Sequence, residues 1–341
     1  MKHKAILLSS VSAVAASTAA VGGAYAQMPA VTGYTYSVQG SAIFSPGPSN
    51  ESLDEDASNK ISDGFGVVVQ DHPGDVGYAG AATFGVEFNG GWDATFGLSA
   101  NEFVTNTGSV TASSSVSFSG ISGGMSTVEA HSVETEKTVF GFETADAEIG
   151  FTPVMTDGFN VRIFGGVRVL HFHSSDDFSG TGTESSSFTG GGSTFSRSAT
   201  ETFDDNFSSD FLGAGPRIGI SASKRFDGSN FGISGSLAAA AIFGQQTDAS
   251  SSSSSITFTS SFNGSTSTSA GPHGSHKTSS TYSKTVFDLQ AQAGIDYYLT
   301  DTSKLTVGYQ IEELTNVGEG VNSNVNKTIQ GAFVKVSGSF N

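Results

Sequence analysis

The chain has 341 residues, with 15 Lys and Arg against 32 Asp and Glu, no Cys, one Trp, 27 Phe and 44 Gly. A formal charge of −17 argues against a nucleic-acid binder, which needs surplus Lys and Arg to neutralise phosphates. Only 14% of residues are charged, below the roughly 25% of ordinary soluble domains, and a hydrophobic fraction of 36% excludes a helical membrane protein.

Residues 1–26 read as a secretory signal. Lys2, His3 and Lys4 form the basic region, Ala5 to Val21 the apolar run, and Ala24-Tyr25-Ala26 the small-x-small cleavage pattern. Cleavage after Ala26 leaves 13 basic and 32 acidic groups, a formal −19. After position 26 no apolar stretch of about 18 residues occurs, so no spanning helix is expected. An exported chain without Cys is not a disulfide scaffold.

The mature chain alternates with period two, the pattern of strands with one apolar face. Near 33–44, Tyr34, Tyr36, Val38, Ala42 and Phe44 oppose Thr35, Ser37, Gln39 and Ser41. Trp92, Ala94, Phe96 and Leu98 oppose Asp93, Thr95 and Ser99. In 159–169 the odd positions are apolar while Arg162 and Arg168 lie opposite. In 287–299 the odd positions run from Phe287 to Leu299, against Asp288, Gln290, Gln292 and Asp296. Ten such segments are predicted, at 33–44, 78–89, 92–103, 138–151, 158–172, 208–225, 229–245, 282–300, 303–315 and 326–341. In 138–151 the apolar face switches near Thr144. Most are longer than the 5–6 residues of soluble strands and meet the 9–11 needed to cross a bilayer at a tilt.

The connections alternate as well. Asn89-Gly90-Gly91, Thr152–Asp157, Asp227-Gly228-Ser229 and Thr300-Asp301-Thr302 are short turns. Between them lie long segments at 45–77, 104–137, 173–207 and 246–281, read as loops, and a shorter one at 316–325. This predicts an all-β chain: a closed antiparallel transmembrane β-barrel of about ten strands, with short periplasmic turns and long extracellular loops. Closure is required because an unpaired backbone group in hydrocarbon costs several kcal/mol. The last strand carries Ala332, Val334 and Val336 and ends near Phe340, the kind of terminus the barrel assembly machinery recognises.

Several segments resemble the Legionella-type major outer membrane protein family of porin-like barrels. They are Phe211-Leu212-Gly213-Ala214-Gly215-Pro216-Arg217-Ile218-Gly219-Ile220, the small-residue strand 234–244, Val161–Phe172, Phe287–Leu299 and Leu305–Asn316. The resemblance covers the C-terminal half. It implies a channel-type protein of the cell outer membrane, in contact with outer-membrane lipid and lipopolysaccharide. Cross-linked members of that family use Cys; with none here, any homo-oligomer is expected to be non-covalent.

No cofactor motif is found. Gly190-Gly191-Gly192 lacks a Walker Lys, and no G-x-S-x-G elbow activates any of the many Ser. The Ser run at 250–255 reads as a solvated loop tip. His171, His173, Asp176 and Asp177 are weak metal candidates and the sole basis for an outer-membrane hydrolase. The His pair continues the lipid-facing parity, which places it at headgroup level. On the inward parity lie Arg162, Arg168, Arg217, Lys335, Asp93, Glu87, Asp288, Asp296 and Glu312. These charges either select small polar solutes by a transverse field or plug a narrow bore by pairing. Pro216 removes a ladder donor beside Arg217, so a bulge is expected there. The leading expectation is a porin-like channel for small polar solutes or ions. The alternative is a structural or adhesive surface protein without an open pore.

Overall fold

The structure is a computed structural model that describes residues 30–45, 66–70, 75–103, 106–119, 125–156, 158–317 and 326–340. The signal segment 1–26, the acidic residues Glu51, Asp54, Glu55 and Asp56, and the connection 318–325 lie outside the described residues.

Within them the alternation folds into one antiparallel sheet of twelve strands. These are β1 (Val31–Ser45), β2 (Gly66–Gln70), β3 (Asp75–Phe88), β4 (Trp92–Phe103), β5 (Asn106–Ser119) and β6 (Met125–Thr156). There follow β7 (Phe159–Gly190), β8 (Ser193–Arg225), β9 (Phe231–Phe262), β10 (Ser265–Tyr298), β11 (Ser303–Thr315) and β12 (Lys327–Phe340). Ten of them close a ring in the order β1-β3-β4-β6-β7-β8-β9-β10-β11-β12. β12 returns to β1 with Tyr34 opposite Phe340 and Phe44 opposite Gln330. Closure leaves no sheet edge in the ring, which is what a strand needs in order to lie in hydrocarbon.

Parity follows the alternation. Ile149, Ile218 and Ile295 point away from the bore and are 61–67% exposed, a surface that only lipid solvates favourably. Aromatic pairs mark the end of the wall that carries the short turns: Tyr34 on Phe340 (5.4 Å), Trp92 on Phe151 (4.9 Å) and Phe231 on Tyr297 (5.3 Å). Such a girdle sits at the membrane interface. No helix among the described residues is long and apolar enough to cross a membrane.

Three long segments differ from expectation. Positions 104–137, 173–207 and 246–281 are largely strand, because β6 to β10 each run 32–34 residues and continue past the wall. β7 and β8 stay paired from Phe159↔Lys224 to Gly190↔Ser193. β5 zips onto the outer half of β6, and β2 onto β5, extending this outer sheet. The Ser250–Ser255 run lies inside β9, paired to β8 and β10 on its two sides, rather than at a loop tip. Both faces of the outer sheet are wet, so no hydrophobic period betrays it. Cross-strand hydroxyl pairs hold it instead, among them Ser250 with Thr278 (2.7 Å) and Thr202 with Ser255 (2.8 Å). The β9–β10 tip turns at Asn263 (φ 46°) and Gly264 (φ 85°), the two left-handed residues of a tight hairpin.

The bulge expected at Pro216 does not form. β8 pairing to β9 skips Gly215 and Pro216 but resumes in the same register, from Ala214↔Phe243 to Arg217↔Ala240. The missing N–H removes a ladder bond without inserting a residue.

Candidate functional site

Mid-wall, the inward side chains of β4, β6, β7, β8, β10 and β11 meet in one ionic network across the bore. Arg168 is 2% exposed and grips Asp146 with two 2.7 Å hydrogen bonds, from Nε and Nη2. Its Nη1 donates to Asp288 and, at 3.3 Å, to Glu312. Gln290 accepts from Arg168 Nη2 (3.1 Å) and Arg217 Nη2 (2.9 Å) and donates to Glu312 (2.5 Å). Arg217 also reaches Asp146 (2.8 Å) and Glu148 (3.1 Å). Arg162 binds Asp93 through Nη2 at 2.6 Å and Glu148 at 3.4 Å. A Cβ on Gly150 would strike both Arg162 Nε and Asp93 Oδ2, so this pair depends on the glycine between them. Three guanidinium groups thus face five carboxyl groups. Fork-shaped Arg donors suit such shared, bidentate geometry, which Lys does not reproduce.

On the side of this network nearer the outer sheet, inward apolar residues cap the bore. Phe142, Leu170, Phe172, Phe211, Ile242 and Val286 are each at most 1% exposed and pack with Ile43, Phe103, Phe140, Leu314 and Ile329. Nine of the ten ring strands contribute. The Phe140 and Phe172 rings approach to 5.0 Å. Above the cap, Ser209, Gln246 and Tyr282 converge on Asp248: Ser209 donates at 2.8 Å and Tyr282 at 2.6 Å. Burial first, and then the bond to Asp248, push the Tyr282 phenol well above its ordinary value.

On the other side of the network a vestibule of about 560 Å³ extends to the short turns. Thr35, Ser37, Glu87, Gln292, Lys304 and Lys335 are among its lining. Asp296 is fully buried in its wall and accepts from Lys304 (2.7 Å), Thr306 (2.6 Å) and Ser234 (2.9 Å). It therefore stands apart from the Arg network it was expected to join. Lys335 is also separate, with its ammonium 5.6 Å from the Phe333 ring centre.

His171 and His173 do lie on the lipid-facing parity, beyond the apolar belt. They do not gather Asp176 and Asp177. His171 contacts Asp210 (3.1 Å) and Glu143 (3.7 Å), while Asp177 accepts from Asn206 and Asp176 falls on the opposite face. No group of three or more His, Cys, Asp or Glu among the described residues is arranged to hold a metal.

The family model described as Legionella pneumophila major outer membrane protein precursor matches residues 37–340. The chain belongs to this family. It is a protein of the outer membrane, and the match reaches well beyond the C-terminal half, into the N-terminal strands. No curated protein sequence matches it. Among solved structures, it is similar to the outer membrane protease OmpT from Escherichia coli at 10% identity and a TM-score of 0.35, covering 92% of this chain and 98% of that one. Neisserial surface protein A follows at 11% and 0.27, covering 91% and 99%, and the KdgM porin at 8% and 0.24, covering 89% and 99%.

Asp146 and Glu148 supply two of the five carboxyl groups of the bore network, and sequence parity missed both. β6 keeps unbroken parity, with Phe140, Phe142, Thr144, Asp146 and Glu148 all inward. The apparent switch at Thr144 arises because the cap is apolar inside while the wall below it is apolar outside. An acid flanked by Ala145 and Ala147 was the available signal.

Proposed function

We propose that the protein is a surface protein of the outer membrane: a barrel closed across its bore that anchors and displays the outer sheet of β5 to β10. The observation that carries this reading is the cap, where Phe142, Leu170, Phe172, Phe211, Ile242 and Val286 leave essentially no exposed surface. Water does not pass a packed apolar plug, and the network beneath it pairs its charges across the same bore. Purified full-length chain in a planar bilayer should carry no single-channel steps while keeping the heat-modifiable migration of a folded barrel. Stable steps from the unmodified chain would overturn the reading.

A second reading, a porin-like passage for small cations, has one observation in its favour. Five carboxyl groups outnumber three Arg in the network, and a polar vestibule leads to it. The cap then acts as a hydrophobic gate, and steps that appear only in Phe142→Ala/Phe172→Ala, with cation preference, would support it. A hydrolase is not favoured, since the four residues it rests on are divided between two faces of the sheet.

A further inference from the structure

We propose that the vestibule binds a small oxyanion, a solute bearing a carboxylate or phosphate, with Lys335 as its anchor. β12 presents Phe333, Lys335, Ser337 and Ser339 in succession to this cavity. The other cations in its lining are engaged, Arg162 with Asp93 and Lys304 with Asp296. Lys335 is not. Among the described residues no carboxylate lies within ion-pair reach of its ammonium, whose contact is the Phe333 ring. Asp296, in the wall of the same cavity, already accepts from Lys304, Thr306 and Ser234.

A second observation stands beside the first. Ser337 Oγ, two residues along on the same face, is buried and has no hydrogen-bond partner among the described residues. An ammonium offers three donors and no acceptor, and the hydroxyl adds a fourth. Surplus donors around an ammonium that has no ion-pair partner are complementary to an anionic acceptor. Inside the barrel wall, away from bulk water, such a charge-assisted contact is stronger than in open water. The volume of about 560 Å³ falls within the range of small-molecule sites.

The geometry also restricts the ligand. The mouth is lined by Asp301, Thr302 and Ser339 beside the short turns, so entry is from the periplasmic side. The closed wall keeps lipid headgroups out. Glu87 opposes an anion at the mouth, but it faces Gly33, six residues along β1 from Gln39, which faces Lys335. At about 3.3 Å per residue that is about 20 Å, so its repulsion acts on entry more than on the bound ligand.

The test is calorimetric titration of inorganic phosphate, and separately of acetate, into the full-length chain in an uncharged detergent. Saturable binding of either is expected. Lys335→Gln should weaken it about tenfold or more, the loss when one charged contact is removed. Ser337→Ala should weaken it less, Lys335→Arg should keep most of it, and Lys277→Gln on the outer sheet should change nothing. Absence of saturable binding, or equal binding by a folded Lys335→Gln variant, would overturn the proposal.

Discussion

Arg168 and Asp288 stand 120 positions apart in the chain and meet as a direct ion pair inside the barrel, β7 reaching β10 across the bore. Arg168 also serves Asp146, Glu312 and Gln290, so one guanidinium ties four strands together. Arg168→Gln leaves buried carboxylates without a counter-charge and should cost about 3–5 kcal/mol. Arg217→Gln should cost less, because Asp146 keeps Arg168 and Glu148 keeps Arg162. Urea unfolding in detergent, followed by the single Trp and by gel migration, measures both.

The cap should respond in two separate ways to the same change. Phe142→Ala empties part of a fully buried cluster and should destabilise the barrel by about 3–5 kcal/mol. Access is the second readout, and the native chain offers no thiol to confuse it. Ser236→Cys, in the vestibule lining, should react with an impermeant thiol reagent in permeabilised cells and stay unreacted in intact cells. Labelling of intact cells at that position would mean the cap is open.

Tyr282 provides a pH test outside the membrane. Its phenol is raised by burial and by the bond to Asp248, so the folded state holds the proton more tightly than the unfolded chain does. The sign follows: its contribution to stability is complete below the ordinary Tyr value near 10 and is lost as pH rises through the higher folded value. Ultraviolet titration should show a late phenolate step that disappears in Tyr282→Phe. In Asp248→Asn the step should move down only part of the way, because burial is the larger cause.

The hairpin tips at Gly191-Gly192 and Asn263-Gly264 lie at the far end of the outer sheet with left-handed backbone, and a Cβ added at Gly191, Gly192 or Gly264 would meet open space. A short epitope inserted at either tip should be displayed on intact cells with normal barrel migration. An epitope in Asp227-Gly228 should be silent until the outer membrane is permeabilised. The reverse pattern would invert the assigned orientation.

The ten wall strands were legible because lipid makes one face apolar and the bore makes the other polar. The legibility failed wherever that contrast disappears. In β6 the cap residues Phe140 and Phe142 imitate the lipid face, which hid Asp146 and Glu148. In the outer halves of β7 to β10 neither face is dry, and Ser/Thr strands read as loops. The charges of Arg162, Arg168, Arg217, Asp288 and Glu312 could be placed inward by parity, but not sorted into partners. Pairing across a ring depends on register and shear, which is why Asp296 and Lys335 proved separate from the network.

The Ser250–Ser255 tract constrains how its own length can vary. Six consecutive serines pair with β8 on one side and β10 on the other, and a slip within the tract sets one serine where another stood. One added residue would turn over everything between the tract and the hairpin tip, removing Phe258 from beneath the Arg197 guanidinium, 5.4 Å from its ring centre. Two added residues would restore the facing. Natural length variants of this tract should therefore differ by even numbers, and an odd one should carry a compensating change before Phe258.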